Sequence, residues 1–198
     1  MRVLLIAPIA VFLLTACTLG PRGGIRIDSE LAAAQTVRLI DERPSNETTG
    51  RITNCANQGK GWQGIDDGAF SRSRSELLRN RLETAFPGRF SQLIIKHFQS
   101  CFAIRSVSSA GAVAAVSYAA AVALDAATKK GDDLALTYIE FVLDGQTFSV
   151  TDVRPFRVGL TWVFPYERAE TAAIFADSAK SAVAQAVKQV EGRANGGR

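Results

Sequence analysis

The tightest local constraint in this chain is Asp144-Gly145, a two-residue turn signal between two runs of alternating pattern, Leu134–Leu143 and Gln146–Val153. Asp-Gly favours the left-handed backbone that a tight hairpin turn needs. With the turn placed there, the register follows by counting: Phe141 faces Phe148, Ile139 faces Val150, and Glu140 faces Ser149. One face of the hairpin is then apolar and the other polar. An apolar face needs a cover, and the end of the chain supplies one. From about Tyr166 to Val190, the residues Phe175, Ala179, Val183, Ala186 and Val190 recur at helical spacing. Glu167 and Glu170 lie near the start of this helix and Lys188 near its end, as the helix dipole favours.

Upstream, the run Thr36–Asp41 reads as a strand that ends before Pro44, and residues 43–68 read as a long loop holding Cys55. Ser73-Arg74-Ser75-Glu76 matches a capping box. The helix it opens carries Leu77, Leu78, Leu82, Ala85 and Phe86 on one face and stops at Pro87-Gly88. Leu93–Ile104 reads as a strand with Ile94, Phe98, Phe102 and Ile104 on one face. Ser106–Leu124 is uncharged and alanine-rich. Its first reading is a packed helix with Val113, Val116, Ala120 and Leu124 toward the core; a membrane-inserted segment and a mobile, partly helical excursion are the alternatives. Strand, loop, helix, strand, alanine-rich helix, hairpin and helix together give an α+β class. The expected architecture is a two-layer sandwich, a mostly antiparallel sheet with helices packed on one face.

The chain has 198 residues, 47% of them hydrophobic and 21% charged, which fits one globular domain and excludes wholesale disorder. A net charge of +4 lacks the dense basic stripe of a dedicated nucleic-acid binder. Met1-Arg2 followed by the apolar stretch Val3–Leu14 has the form of a secretory signal, and the stretch is too short to span a bilayer. It ends in Leu14-Thr15-Ala16-Cys17, which resembles the lipobox of bacterial lipoproteins. That resemblance implies cleavage before Cys17, a diacylglycerol on its sulfur and an acylated amine. Two or more acyl chains hold a protein stably on a membrane. Thr18, where inner-membrane retention would call for aspartate, implies an outer-membrane, periplasm-facing address. The expected organisation is a signal peptide over 1–16 and a lipidated cysteine with a flexible tether over 17–35. A single domain over 36–191 and a disordered tail over 192–198 follow.

In an oxidising compartment the two remaining cysteines, Cys55 and Cys101, are expected to pair. Closing that loop adds roughly 4 kcal/mol in the chain-entropy model, as an upper estimate. Little else reads as chemistry. Gly59-Lys60-Gly61-Trp62-Gln63-Gly64 spells a dinucleotide fingerprint, but polar residues precede it and Asp66-Asp67-Gly68 follows, so it reads as a surface loop. His97 is the only histidine, and no G-x-S-x-G elbow exists to give it a nucleophile. It reads as a half-buried or surface residue. No three-ligand set has zinc spacing once the cysteines pair. Asp66-Asp67 and Asp132-Asp133 read as solvating and capping residues. No catalytic residue, metal or cofactor is therefore expected.

Arg72, Arg74, Arg79, Arg81 and Arg89 make the first long helix basic, with Arg72–Glu76 and Arg79–Glu83 at i,i+4 spacing. A solvated, salt-bridged face is one reading. The other is a docking face, with Arg72, Arg74 and Arg81, and Trp62 in its glycine-rich loop, as partner-binding candidates; Trp162 is a second aromatic anchor. The lipobox, the strand ending in Asp41-Glu42-Arg43, Gly50 and the following helix also resemble the YajG-type family of bacterial lipoproteins over Thr36–Phe86. Such families have no established activity, so that resemblance implies an envelope location more than a mechanism. The expected role is a non-enzymatic outer-membrane lipoprotein contributing to an envelope assembly through protein contacts. A periplasmic module binding lipid or glycan is the alternative. Expected partners are the membrane, through the lipid anchor, and other envelope proteins, with no nucleic acid; the oligomeric state is left open.

Overall fold

The hairpin forms with the register counted from its turn. A computed structural model describes residues 24–27, 36–49, 55–57, 62–103, 133–156 and 169–196. The lipobox, the stretch Ser106–Leu124, Ile104, Asp132 and Trp162 lie outside them. The elements are β1 (Arg38–Asp41), α1 (Ser45–Thr48), β2 (Gln63–Gly64), α2 (Arg74–Ala85), β3 (Gln92–Ala103), β4 (Asp133–Leu143), β5 (Gln146–Phe156) and α3 (Ala169–Gly196). Short 3-10 turns lie at Cys55–Asn57 and Asp67–Ala69.

The class is α+β. The sheet runs β1-β3-β4-β5, with β1 parallel to β3 and the other pairs antiparallel; β2 pairs with the far end of β3. Phe141 pairs with Phe148, Ile139 with Val150 and Glu140 with Ser149. Asp144 and Gly145 both take positive φ, 44° and 84°, as the turn requires. The Phe141 and Phe148 rings stack at 5.1 Å on the covered face.

Helices α2 and α3 bury that face. Leu77, Leu78 and Leu82 of α2 share one core with Phe175, Val183, Ala186 and Val190 of α3 and with Ile139, Phe141, Phe148 and Val150 of the hairpin. Alanines at 172, 176, 179 and 182 are also buried, and their small side chains let the α3 backbone lie close to the strands. Ser73 caps α2 through the amide of Glu76. Among the described residues, the second face is covered at one end, where Cys55, Trp62, Cys101, Ala103 and Leu136 pack together. Cys55 and Cys101 are joined as a disulfide, with Cα atoms 6.3 Å apart.

Four expectations need correction. First, Ile25 and Ile27 belong to the core and not to a flexible tether. Ile25 bonds alongside Phe70, donating to Ala69 O and accepting from Ser71 N, both at 2.9 Å, and the Ser71 hydroxyl accepts from Ile27 N. The folded unit thus begins well before residue 36. Second, Leu93 and Ile95, not Ile94, face the core with Phe98 and Phe102. A bulge between Ile95 and His97 inserts one residue and reverses the alternation partway along β3. Third, α3 continues to Gly196 where a disordered tail was expected from 192. Its last turn is held by Arg193, which donates to Thr147 O and lies over the Phe148 ring. Fourth, the stretch 43–68 is not a plain loop, since its described residues include α1, β2 and two 3-10 turns.

Candidate functional site

The structure separates the four residues nominated for partner binding. Arg72 and Arg81 are exposed, whereas Arg74 is fully buried and Trp62 is buried beside the disulfide. Neither Arg74 nor Trp62 can contact a partner, which corrects that expectation. Arg74 instead completes an ion network that fastens three elements. Its Nε and Nη2 donate to Asp67 Oδ1 at 2.8 and 2.5 Å, and its guanidinium packs on the rings of Phe70 and Phe98. Asp67 also accepts from Arg43 at 2.7 Å, Arg43 forks onto Asp41, and Asp41 accepts from the Ser75 hydroxyl at 3.0 Å. Asp67 is therefore no mere solvating residue, although Asp66 does cap the 3-10 turn through Ala69 N. Asp133, at the head of β4, is buried and not a solvating residue either.

Burial opposes the charge on Asp67, but Arg74 and Arg43 outweigh it and hold the carboxyl below its ordinary value. Asp41 is likewise held low: burial pulls upward, and the Arg43 and Ser75 hydrogen bonds pull further down. Arg43 moves the opposite way, its burial overcome by the two aspartates. Burial lowers the pKa of Arg74 despite Asp67.

The expected i,i+4 pairs on α2 are replaced. Arg79 pairs with Glu76 one turn back, and Glu83 is buried and accepts from Val37 N at 2.6 Å. The glycine motif ends in a strand, since Gln63 and Gly64 pair with Phe102 and Cys101 of β3. A pyrophosphate site would need a helix there.

A second polar cluster was not legible in the sequence. Between the stretches paired with β1 and β2, the edge of β3 is filled by the buried carboxylate of Glu47 from α1. It accepts from Phe98 N at 3.1 Å and from the Gln99 amide at 2.9 Å, and pairs with His97 Nδ1. The side chain thus takes the place of a strand. His97, at the bulge, is half-buried. Its ring lies 6.1 Å from that of Tyr138, whose hydroxyl donates to Glu140 at 2.6 Å. Burial, that hydrogen bond and the charges of Glu140 and Glu47 push the Tyr138 phenol up to about 12. Among the described residues no group of three or more His, Cys, Asp or Glu is placed to hold a metal, and no helix is long and apolar enough to cross a membrane.

The outer side of β5 is accessible. Thr147, Ser149, Thr151 and Val153 line it, all exposed, and Val153 is the one exposed large apolar side chain among the described residues. β5 is also the last strand of the sheet. In an antiparallel pair alternate residues turn their backbone groups away from the partner strand. On β5, two such carbonyls are taken by α3: Thr147 O accepts from Arg193 at 3.0 Å and Ser149 O from Gln189 at 3.1 Å. Pro155, farther along, has no N–H to offer. These features blunt the edge against strand addition, while the face of β5 stays open to contact. No protein-family model matches the chain, and no curated protein or solved structure matches it.

Proposed function

We propose that this chain is a lipid-anchored protein of the bacterial outer membrane, facing the periplasm, that contributes to an envelope assembly by non-covalent protein contact and carries out no catalysis. The address rests on the resemblance of Leu14-Thr15-Ala16-Cys17 to a lipobox behind a short apolar stretch. The mode of action rests on one observation. The described helices α2 and α3 cover one face of the sheet, and the outer face of β5 carries four successive exposed side chains, Thr147, Ser149, Thr151 and Val153. A flat surface of short side chains offers contact area at small cost in side-chain entropy.

Two experiments test the two parts. Cys17→Ala is expected to leave an unprocessed precursor outside the outer-membrane fraction. Normal maturation and normal fractionation of that variant would defeat the anchor. For the contact, a photo-crosslinking residue is placed at Thr151 or Val153 in cells, with Lys188 on the solvent side of α3 as control. Discrete protein adducts are expected from the sheet positions alone. Adducts from Lys188 with none from Thr151 or Val153 would refute the assignment of the face.

A further inference from the structure

At the end of the molecule where the β4–β5 turn lies, α3 finishes and the loop after α2 passes. Between them is a cleft of about 160 Å³ with Arg89, Phe90, Leu143, Phe148, Val190 and Arg193 among its walls. An open groove of about 430 Å³ continues from Phe148 and Arg193 over Thr147, Ser149, Gln189 and Gly192.

The charges of this cleft are unbalanced. Arg193 lies 4.5 Å over the Phe148 ring and spends one N–H on Thr147 O. Arg89 lies 5.8 and 5.9 Å from the Phe86 and Phe90 rings. Neither guanidinium has a carboxylate partner among the described residues. The one acid on the rim, Asp144, is engaged elsewhere: it accepts from Ser91 Oγ and Gln92 N, both at 2.9 Å, and from Ser91 N. Burial opposes its charge, but the Ser91 and Gln92 donors together outweigh it and hold its carboxyl below the ordinary value. Two guanidiniums against one carboxylate leave a single positive charge in excess. The close ring contact places the Arg193 guanidinium, Arg89 lies within cation–π distance of two rings, and both leave N–H groups free to fork onto an oxyanion.

We propose that this cleft binds a compact organic carboxylate, its oxygens held between Arg89 and Arg193 and its stem against Phe90, Phe148 and Val190. One net charge matches a carboxylate, whereas a phosphate monoester would bring nearly two negative charges toward Asp144. The volume is close to that of a cavity known to hold benzene, so the stem is about the size of one ring. Such a group comes from a free acid or from the end of a polypeptide. The groove beside the cleft, with Thr147, Ser149 and Gln189 on its walls, has the donors and acceptors that a peptide amide needs.

The test is a titration of the isotope-labelled full chain, followed by backbone NMR shifts, with benzoate and with N-acetylphenylalanine. Benzyl alcohol and N-acetylphenylalaninamide are the uncharged counterparts. Saturable shifts are expected at Gln146, Phe148 and Arg193, with at least tenfold weaker binding of each uncharged analogue. Similar affinity for the two acids identifies a free acid as the ligand class. N-acetylphenylalanine binding at least tenfold tighter than benzoate identifies a chain terminus. Arg89→Gln, which removes no hydrogen bond seen in the fold, is expected to weaken binding at least tenfold with an unchanged melting temperature. Arg193→Gln is expected to do the same while also loosening the end of α3. Three results overturn the proposal: no saturation by either acid, equal binding of acid and uncharged analogue, or wild-type affinity in Arg89→Gln.

Discussion

Asp67 stands between two guanidiniums, one of them on a fully buried arginine, so its loss leaves a buried charge unpaired. Removing one partner of a buried ion pair leaves the other charge without compensation, at a cost of about 3–5 kcal/mol. Asp67→Asn is therefore expected to lower stability to denaturant by about 3 kcal/mol, because Arg74 keeps its burial and loses its counter-charge. Glu76→Gln, on the more open Arg79 pair, is expected to cost less than about 1 kcal/mol. The same carboxylates set the acid limb. Asp67 and Asp41 titrate lower in the folded chain than in the unfolded one. Their contribution is complete above about pH 4 and is lost as pH falls through the depressed folded values. Denaturant melts over the acid range should show this loss in the wild type and a shallower one in Asp67→Asn. At the alkaline end the sign reverses. Tyr138 keeps its proton up to about 12 in the folded chain. Its contribution is present below about pH 10, where free tyrosine ionises, and declines as pH rises toward 12. Absorbance titration should find one phenol ionising late, and Glu140→Gln should bring it down. Little of this was readable beforehand. Arg74 appears in the sequence as one of several helix arginines, and its partner lies seven positions back in a 3-10 turn, outside any i,i+4 rule. Glu47 sits in a polar stretch with no periodicity, and only the fold places it beside Phe98 N.

At the scale of elements, legibility depended on whether local geometry and side-chain pattern carried the same information. For the hairpin they did: the turn residues fix the register, and the alternation agrees with it at Phe141–Phe148, Ile139–Val150 and Glu140–Ser149. Gly145→Ala tests that dependence directly, since φ of 84° is strained for any residue with a Cβ. The expected cost is about 1–2 kcal/mol with the fold retained, read from the denaturation midpoint. An unchanged midpoint would show that the turn does not need its glycine. For β3 the two sources diverged, because a bulge has no reliable sequence signature and reverses the alternation after Ile95. The helix cap at Ser73 was legible because it is local, but the partner of Glu76 was not, since Arg72 four residues before it and Arg79 three after it both compete for it. The disulfide was legible from the parity of the cysteines together with the expected oxidising compartment. It ties the 3-10 turn at Cys55 to the outer face of β3, where Gln99 also accepts from Ala56 N at 2.8 Å. Replacing both cysteines by serine is expected to cost at most about 4 kcal/mol, the loop-closure value for a separation of 46 residues. Most of that loss should appear on adding reductant to the wild type. Equal melting of oxidised and reduced protein would mean that the loop is held by Trp62 packing and not by the bridge.

At the scale of the molecule, two segments from opposite ends of the chain close the same core. Ile25 and Ile27 enter beside Phe70, and α3 lies across β4 and β5 with Ser178 bonded to Thr137, and Ser181 and Gln185 to Asp152. Both were partly concealed in the sequence, the first because two isoleucines between glycines and polar residues do not establish a strand pattern. Fully burying an isoleucine contributes roughly 1.5–3 kcal/mol. Two of them are therefore a large fraction of the about 5–15 kcal/mol that holds a typical domain together. The folded unit should accordingly depend on where it is cut. Residues 24–196, expressed alone, are expected to melt cooperatively. Residues 36–196 lack both isoleucines and the bridge to Phe70, so their midpoint is expected to fall sharply. Residues 24–165 lack α3 and uncover Ile139, Phe141, Phe148 and Val150, all 4% exposed or less in the intact fold. Four large side chains uncovered together exceed what the remaining contacts can offset, so this form is expected to unfold or aggregate. Circular dichroism melts and sizing of the three forms decide the matter. A monomeric, sharply melting 24–165 would show that α3 is an accessory to the sheet, and identical midpoints for 24–196 and 36–196 would return Ile25 and Ile27 to the tether.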